Sequence, residues 1–355
     1  METVIVGMSG GVDSSVTALL LKHQGYRVIG LFMKNWEEEG PCPAQNDYED
    51  VIAVCSQLDI PYYSVNFSKE YWDEVFSKCL QEYAAGFTPN PDILCNREIK
   101  FKVFFKKALE LGADYLATGH YCRKFLHEGE WILGRGSDLD KDQSYFLYTL
   151  KSSILKKVLF PIGDLTKKEV RALATETGLA TAQKKDSTGI CFIGKRNFKD
   201  FLSRYIPNQP GNFETLGGKV VGQHDGIAYY TIGQRRGLGI GGAGEAWYVL
   251  KKDVERNVVI VERGDEHPAL FQRELIASEV SWVGCPPHFP LKCTAKVRYR
   301  APDVECQIHS YEEGKIHVLF DIPQKAITPR QSIVFYLGPL CLGGGMIETS
   351  PSSIL

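Results

Sequence analysis

Short apolar runs rich in Val, Ile and Tyr alternate with longer segments of helical periodicity through the first 130 or so residues. The runs "TVIVG" (3–7), "YRVIGLFM" (26–33), "PYYSVNF" (61–67) and "ADYLATGH" (113–120) read as strands. Between them, "SSVTALLLKHQG" (14–25), "DYEDVIAVCSQLD" (47–59), "SKEYWDEVFSKCLQEYAAG" (68–86) and "REIKFKVFFKKALELG" (97–112) read as helices. Strands separated by helices of this length predict crossover units and a mostly parallel sheet covered on both faces, an α/β doubly wound domain. Ligands in such a domain sit beyond the carboxyl ends of the strands.

Helical signals continue through "TKKEVRALATETG" (166–178), where Thr166 and Glu169 form a capping-box pattern and Gly178 a stop. After "FKDFLSRYIP" (198–207) the pattern changes. From about 211 onward come short alternating runs, among them "GIAYYTI", "AWYVLKK", "NVVIVE", "KCTAKVRY", "VECQIHS", "KIHVLFD" and "SIVFYLG". They predict all-β structure in small barrels, with the boundary between two of them in "ERGDEHPALF" (262–271). The expected division is an α/β domain over 1–197, a small β-rich domain over 198–268 and a C-terminal β-barrel over 269–355.

Composition narrows the class. The 355 residues are 44% hydrophobic and 24% charged, enough for a large core in two or three domains. No apolar stretch reaches the length of a membrane span, and "METVIVG" has no basic leader region or cleavage site, so a cytoplasmic protein without membrane attachment is expected. Ten cysteines form no C-x-x-C pair, and no histidine stands in a metal-binding pattern, so no metal site is expected. A net charge of −2 excludes nucleic-acid binding by overall electrostatics; an RNA surface would have to be local.

Three stretches carry candidate chemistry. "GMSGGVDSS" (7–15) lies between the first strand and the first helix, where glycines admit an anion to backbone N–H groups and the helix dipole favours negative charge. It lacks the Gly-Lys-Ser/Thr of a Walker loop and the G-x-G-x-x-G of dinucleotide folds. A tight turn capped by Asp13 would give the same pair of glycines. "TPNPDILCN" (88–96) places Cys95 just before a helix that Asn96 would cap, where the dipole lowers a thiol pKa, with Asp92 three residues earlier. "KKDSTGICFIGKRNF" (184–198) places Cys191 in a loop approached by Lys184, Lys185, Lys195 and Arg196. Packing remains open for both cysteines. Cys55 and Cys79 lie on apolar helix faces and read as core. "KCTAKVRYR" (292–300) is a basic stripe in which strand alternation would align Lys296, Arg298 and Arg300, beside Tyr299; a solvated β face would look the same.

Together "GMSGGVDSS", "TPNPDILCNREIKF", "ATGHY", "KDQSYFL", "DSTGICFIG", "YTIGQRRGLGIGG" and "VRYR" stand in the order found in bacterial tRNA-specific 2-thiouridylases, and the chain resembles that family over residues 7–300. The resemblance implies a pyrophosphatase-loop domain, a small central domain and a C-terminal barrel. It implies 2-thiolation of the wobble uridine in the tRNA anticodon arm, with ATP, accompanied by Mg2+, adenylating the uracil C2 oxygen. The sulfur would come as a persulfide from a cysteine desulfurase or a sulfur-relay carrier. Carried over residue by residue, Cys191 matches the persulfide-bearing cysteine, Cys95 its partner and Asp92 the acid/base residue. Gly7, Met8, Ser9, Gly10, Gly11, Val12, Asp13, Ser14, Met33 and Gly119 match ATP contacts. Asn90, Pro91, Asp92, His120, Lys141, Asp142, Gln143, Arg298, Tyr299 and Gln331 match tRNA contacts. The residues by themselves also admit an ATP-dependent amidating ligase, which needs no cysteine, or a tRNA-binding protein without catalysis.

Overall fold

The computed structural model describes residues 1–37, 43–186, 197–310 and 312–348. The first part of the chain supplies strands β1 (Thr3–Met8), β2 (Arg27–Lys34), β3 (Tyr62–Asn66), β4 (Tyr115–Ala117), β5 (Cys122–His127), β6 (Glu130–Arg135) and β7 (Val158–Leu159). Five of them form a sheet in the order β3-β2-β1-β4-β7, parallel throughout. Val4, Ile5, Val6 and Leu31 are fully buried because helices cover both faces, as the unbroken apolar runs require. The strand order reverses direction between β1 and β4, so the crevice at their carboxyl ends is the natural ligand position.

The crossover from β3 to β4 carries two long helices. One runs continuously from Ser68 to Ala84, with a π-helical turn at Trp72–Phe76. The other begins at Pro91, becomes π-helical over Cys95–Phe104 and returns to α geometry for Phe105–Glu110. Leading directly into β4, this helix runs back along the sheet, and its start lies at the strands' carboxyl ends. Phe104 packs closely over Gly7, where a Cβ would stand 3.3 Å from its ring. The expected cap at Asn96 is displaced to Asn90, whose Oδ1 accepts from Ile93 N, with Pro91 at the first helical position. Proline there costs nothing because its missing N–H would have been unpaired anyway.

The central strands β8 (Gly211–Glu214), β9 (Val220–His224), β10 (Trp247–Asp253) and β11 (Val258–Arg263) form a sheet ordered β10-β11-β8-β9. The run "GIAYYTI" is not a strand: Ile227–Tyr229 is a short 3-10 turn whose side chains, with Tyr230, join that unit's core. The last strands are β12 (Phe271–Trp282), β13 (Leu291–Lys296), β14 (Val304–Ser310), β15 (Ile316–Lys325), β16 (Ser332–Leu337) and β17 (Leu340–Ile347). They close into a six-stranded barrel through the pairing of β12 with β17. The β5–β6 hairpin, which the hydrophobic pattern did not reveal, joins that barrel through β6 and β17. Arg135, at the end of β6, is locked there over the Tyr336 ring at 3.6 Å and against Asp303 at 2.6 Å. No helix among the described residues is long and apolar enough to cross a membrane.

Candidate active site

The turn after β1 brings Ser9, Gly10 and Gly11 to the start of the helix Val12–His23. Gly10 has φ +71, and a Cβ on it would stand 2.4 Å from Asp47 O, so only glycine serves. At Gly11 a Cβ would meet only Ser9 Oγ at 3.5 Å, which leaves room for a phosphate before the loop. No side chain among the described residues caps this helix, so its first N–H groups are left available to an anion at that end. Ser14 holds the loop's shape: its hydroxyl accepts from Ser9 N at 3.2 Å and donates to Gly11 O at 3.0 Å. Gly119, just past β4, presses on the same turn, with a Cβ position 2.9 Å from Ser14 N. Met8 is core, and Met33 is half-buried near the end of β2.

Asp13 is a hub, not a cap. Its carboxylate receives Lys167 Nζ at 2.7 and 2.8 Å and Tyr121 OH at 2.7 Å. Lys167 also reaches Asp186 at 2.9 Å, and Lys141 and Arg171 pair with Asp186 at 2.9 and 2.5 Å. Burial alone would raise the Asp186 pKa, but the hydrogen bonds from Lys167 and Lys141 outweigh it and hold the carboxyl well below its usual value. Thr181 Oγ1 donates to Ser15 Oγ at 2.9 Å, so the stretch leading to residue 186 lies against the nucleotide loop. Lys184, expected to make the Cys191 loop electropositive, is paired with Asp47 and Asp50, which neutralise it. Cys191, Lys195 and Arg196 lie outside the described residues.

Asp92 and Cys95 stand one turn apart on one helix face. Cys95 is 3% exposed, and its N–H bonds within the helix to Pro91 O and Asp92 O. It therefore sits inside the second turn, past the reach of an unpaired helix end, and the expected thiolate stabilisation by the dipole loses its geometric basis. Asp92 is half-buried; burial raises its pKa, opposed by Lys100. A carboxyl that holds its proton more readily than usual is suited to proton transfer. Cys55 and Cys79 are fully buried, with burial pushing their thiols up to about 11 and about 12, in keeping with core roles.

The expected RNA contacts divide. Lys141 keeps its head at the surface beside Asp186. Asp142 turns inward, accepting from Gly136 N, Ser144 N and Ser144 Oγ, and Gln143 Oε1 accepts from Tyr121 N. His120 is buried between Phe101 and Phe160 with Nδ1 2.8 Å from Thr118 Oγ1, and burial, then Lys100, keeps it neutral. The expected strand alternation past Lys296 fails: β13 ends there, and residues 297–300 turn, with Ala301 N on Arg298 O and Arg300 at φ +62. Arg298 is exposed on that turn, while the Tyr299 ring lies 4.3 Å from Phe146. Asn96, beside Cys95, donates to Phe146 O at 3.2 Å, so the turn reaches the cysteine's neighbourhood. Pro91 is buried, and Gln331 Nε2 donates to Thr88 O and Pro89 O. Lys167, Tyr121 and Asp186 escaped sequence reasoning because no motif spacing links positions so far apart.

Family descriptions match the chain in three consecutive parts: a tRNA methyl transferase HUP domain over residues 2–195, a tRNA methyl transferase PRC-barrel domain over 199–263 and an aminomethyltransferase beta-barrel domain over 272–347. The tRNA-specific 2-thiouridylase MnmA of Protochlamydia amoebophila is 61% identical over 98% of this chain and 93% of its own length. The chain belongs to the tRNA-specific 2-thiouridylase family. The MnmA proteins of Geobacillus thermodenitrificans and Halalkalibacterium halodurans are 59% and 58% identical, each over 97% of this chain and 94% of the relative.

Proposed function

We propose that this chain is a tRNA-uridine 2-sulfurtransferase that replaces the C2 oxygen of the wobble uridine by sulfur at the expense of ATP. The observation that carries the reading is the pairing, on one helical turn, of Asp92, its pKa raised by burial, with Cys95, at the same strand-end edge as the nucleotide cradle.

A uracil carbonyl is a weak electrophile and must be activated before sulfur attacks. The loop from Gly7 to Ser14 holds the phosphates, with Met33 and Gly119 beside it. Mg2+ would be held chiefly by those phosphates and water, with Asp13 the carboxylate nearest the loop. The uracil O2 attacks the α-phosphate and releases pyrophosphate. The outer sulfur of a Cys191 persulfide then adds to C2, and AMP leaves with the oxygen. The Cys95 thiolate attacks Cys191 Sγ and breaks the S–S bond, so the transferred sulfur stays on C2 and a Cys95–Cys191 disulfide remains for reduction by an external thiol. Asp92 moves the protons of this exchange. A cysteine desulfurase or sulfur-relay carrier supplies the persulfide, and the reaction takes place in the cytoplasm.

The division at 197/198 and 268/269 is a division of labour: the chemistry and the RNA contacts nearest the base in the first unit, further RNA positioning by the other two. The uracil would be met by Asn90 and Asp92 and the anticodon arm by Lys141 and Arg298, while Pro91, His120, Asp142, Gln143, Tyr299 and Gln331, engaged within the protein, would support those contacts from behind. Methyl transfer, as the family descriptions word it, would have no use for pyrophosphate cleavage. The test is incubation of unmodified tRNA with ATP and a persulfide donor, followed by mass spectrometry of the anticodon loop. Exchange of oxygen for sulfur with stoichiometric pyrophosphate is expected; an added methyl group, or no tRNA-dependent pyrophosphate, refutes the reading.

A further inference from the structure

Three sequence-distant parts of the chain meet at Thr88. Its hydroxyl lies 3.3 Å from Thr231 Oγ1 of the central unit. Its carbonyl accepts from Gln331 Nε2 of the barrel at 2.7 Å, and the same nitrogen reaches Pro89 O at 3.1 Å. Neighbouring contacts fix both partners. Thr231 N is held by Gln234 Oε1 at 3.0 Å, and Arg330 pairs with Glu82 at 3.1 Å while lying 5.1 Å above the Phe87 ring.

Residues 87–90 belong to no helix or strand, so no ladder of their own fixes them. Pro89 and Pro91 have no N–H, so at those positions only the carbonyl can hold the backbone. Gln331 supplies what carbonyls require. With two acceptors facing it, its amide must present the NH2, and both of its donors are spent on protein backbone. The held segment runs straight into Asn90, the helix cap, and one turn later into Asp92 and Cys95.

We propose that Gln331, assisted by Thr231, is a positioning residue that sets the entry of the 91–110 helix and thereby the places of Asp92 and Cys95. This rests on the roles given to those two residues above. RNA recognition is then only a secondary use of Gln331, since its remaining polar atom is a lone acceptor.

The test is amide hydrogen exchange on the full-length protein without RNA or ATP, comparing wild type with Gln331→Glu, which keeps size but removes both donors. Exchange at Ile93, Leu94 and Cys95 should quicken about tenfold, as expected when two hydrogen bonds holding a helix start are lost. The barrel strand Ser332–Leu337 and the helix Val12–His23 should stay unchanged. Thr231→Val, outside the barrel, should give a smaller change of the same sign, and Thr231→Ser should restore wild-type exchange; this pair decides the matter if Gln331→Glu loosens the barrel itself. In turnover, kcat should fall more than KM for tRNA rises. Unchanged exchange together with a raised KM would make Gln331 an RNA contact only and overturn the proposal. The exchange measurement needs no activity, so a wild-type chain that thiolates nothing would refute the function and leave this test readable.

Discussion

Two carboxylates of this site are shifted in opposite directions for opposite reasons. Asp92 pays for burial with only Lys100 to offset it, whereas Asp186 is half-buried among Lys167, Lys141 and Arg171. A carboxyl whose folded pKa is raised favours folding only while protonated. That contribution is intact below the ordinary carboxyl pKa of about 4 and is lost as pH rises through the folded value. Asp92→Asn should therefore stabilise the protein at neutral pH, and the gain over wild type should vanish below about pH 4, as thermal unfolding across pH would show. Cys95→Ser should leave tRNA-dependent pyrophosphate release intact and abolish sulfur incorporation, measured in parallel on one reaction; sulfur transfer at wild-type rate would remove Cys95 from the scheme. Asp92 and Cys95 were legible as a pair from their spacing. Their place inside a helix was not, because N-P-D serves equally as a turn and as a cap with proline at the first helical position.

At the scale of elements, the nucleotide loop depends on a glycine and an ion-pair hub. Gly10→Ala forces a side chain into a left-handed backbone at about 1–2 kcal/mol, and its Cβ overlaps Asp47 O. Loss of ATP binding by calorimetry, with a lowered Tm, is the expected outcome. Lys167→Met leaves Asp13 and Asp186 facing each other without their shared cation. Since each carboxylate is 32% exposed, the cost should be about 1–3 kcal/mol, below that of a fully buried pair, and read as a drop in Tm that high salt reduces. The glycines announced themselves in the sequence. The hub did not: Asp13, Lys167 and Asp186 are joined only because the crossovers bring three separate segments to one sheet edge.

The whole molecule, with a net charge of −2, attracts RNA only through local patches. Arg298 is exposed on a barrel turn that packs through Tyr299 against Phe146, the residue whose carbonyl accepts from Asn96. Arg298→Ala should weaken tRNA binding and lower its salt slope by about one, with ATP binding unchanged, in titrations at several salt concentrations. A slope equal to that of wild type would take Arg298 out of contact with phosphate.

Local pattern alone determined the parallel α/β sheet, the capping box at Thr166 and Glu169, the change to β structure after 211 and the cradle sequence, since each is written in neighbouring residues through periodicity, caps and glycines. Only the tertiary structure decided that the β5–β6 hairpin would extend the barrel, that Asp142 and His120 would turn inward, and that Gln331 would hold Thr88 and Pro89. Those are contacts between positions up to 243 residues apart. They follow from how faces of different units fit together, which no local periodicity encodes.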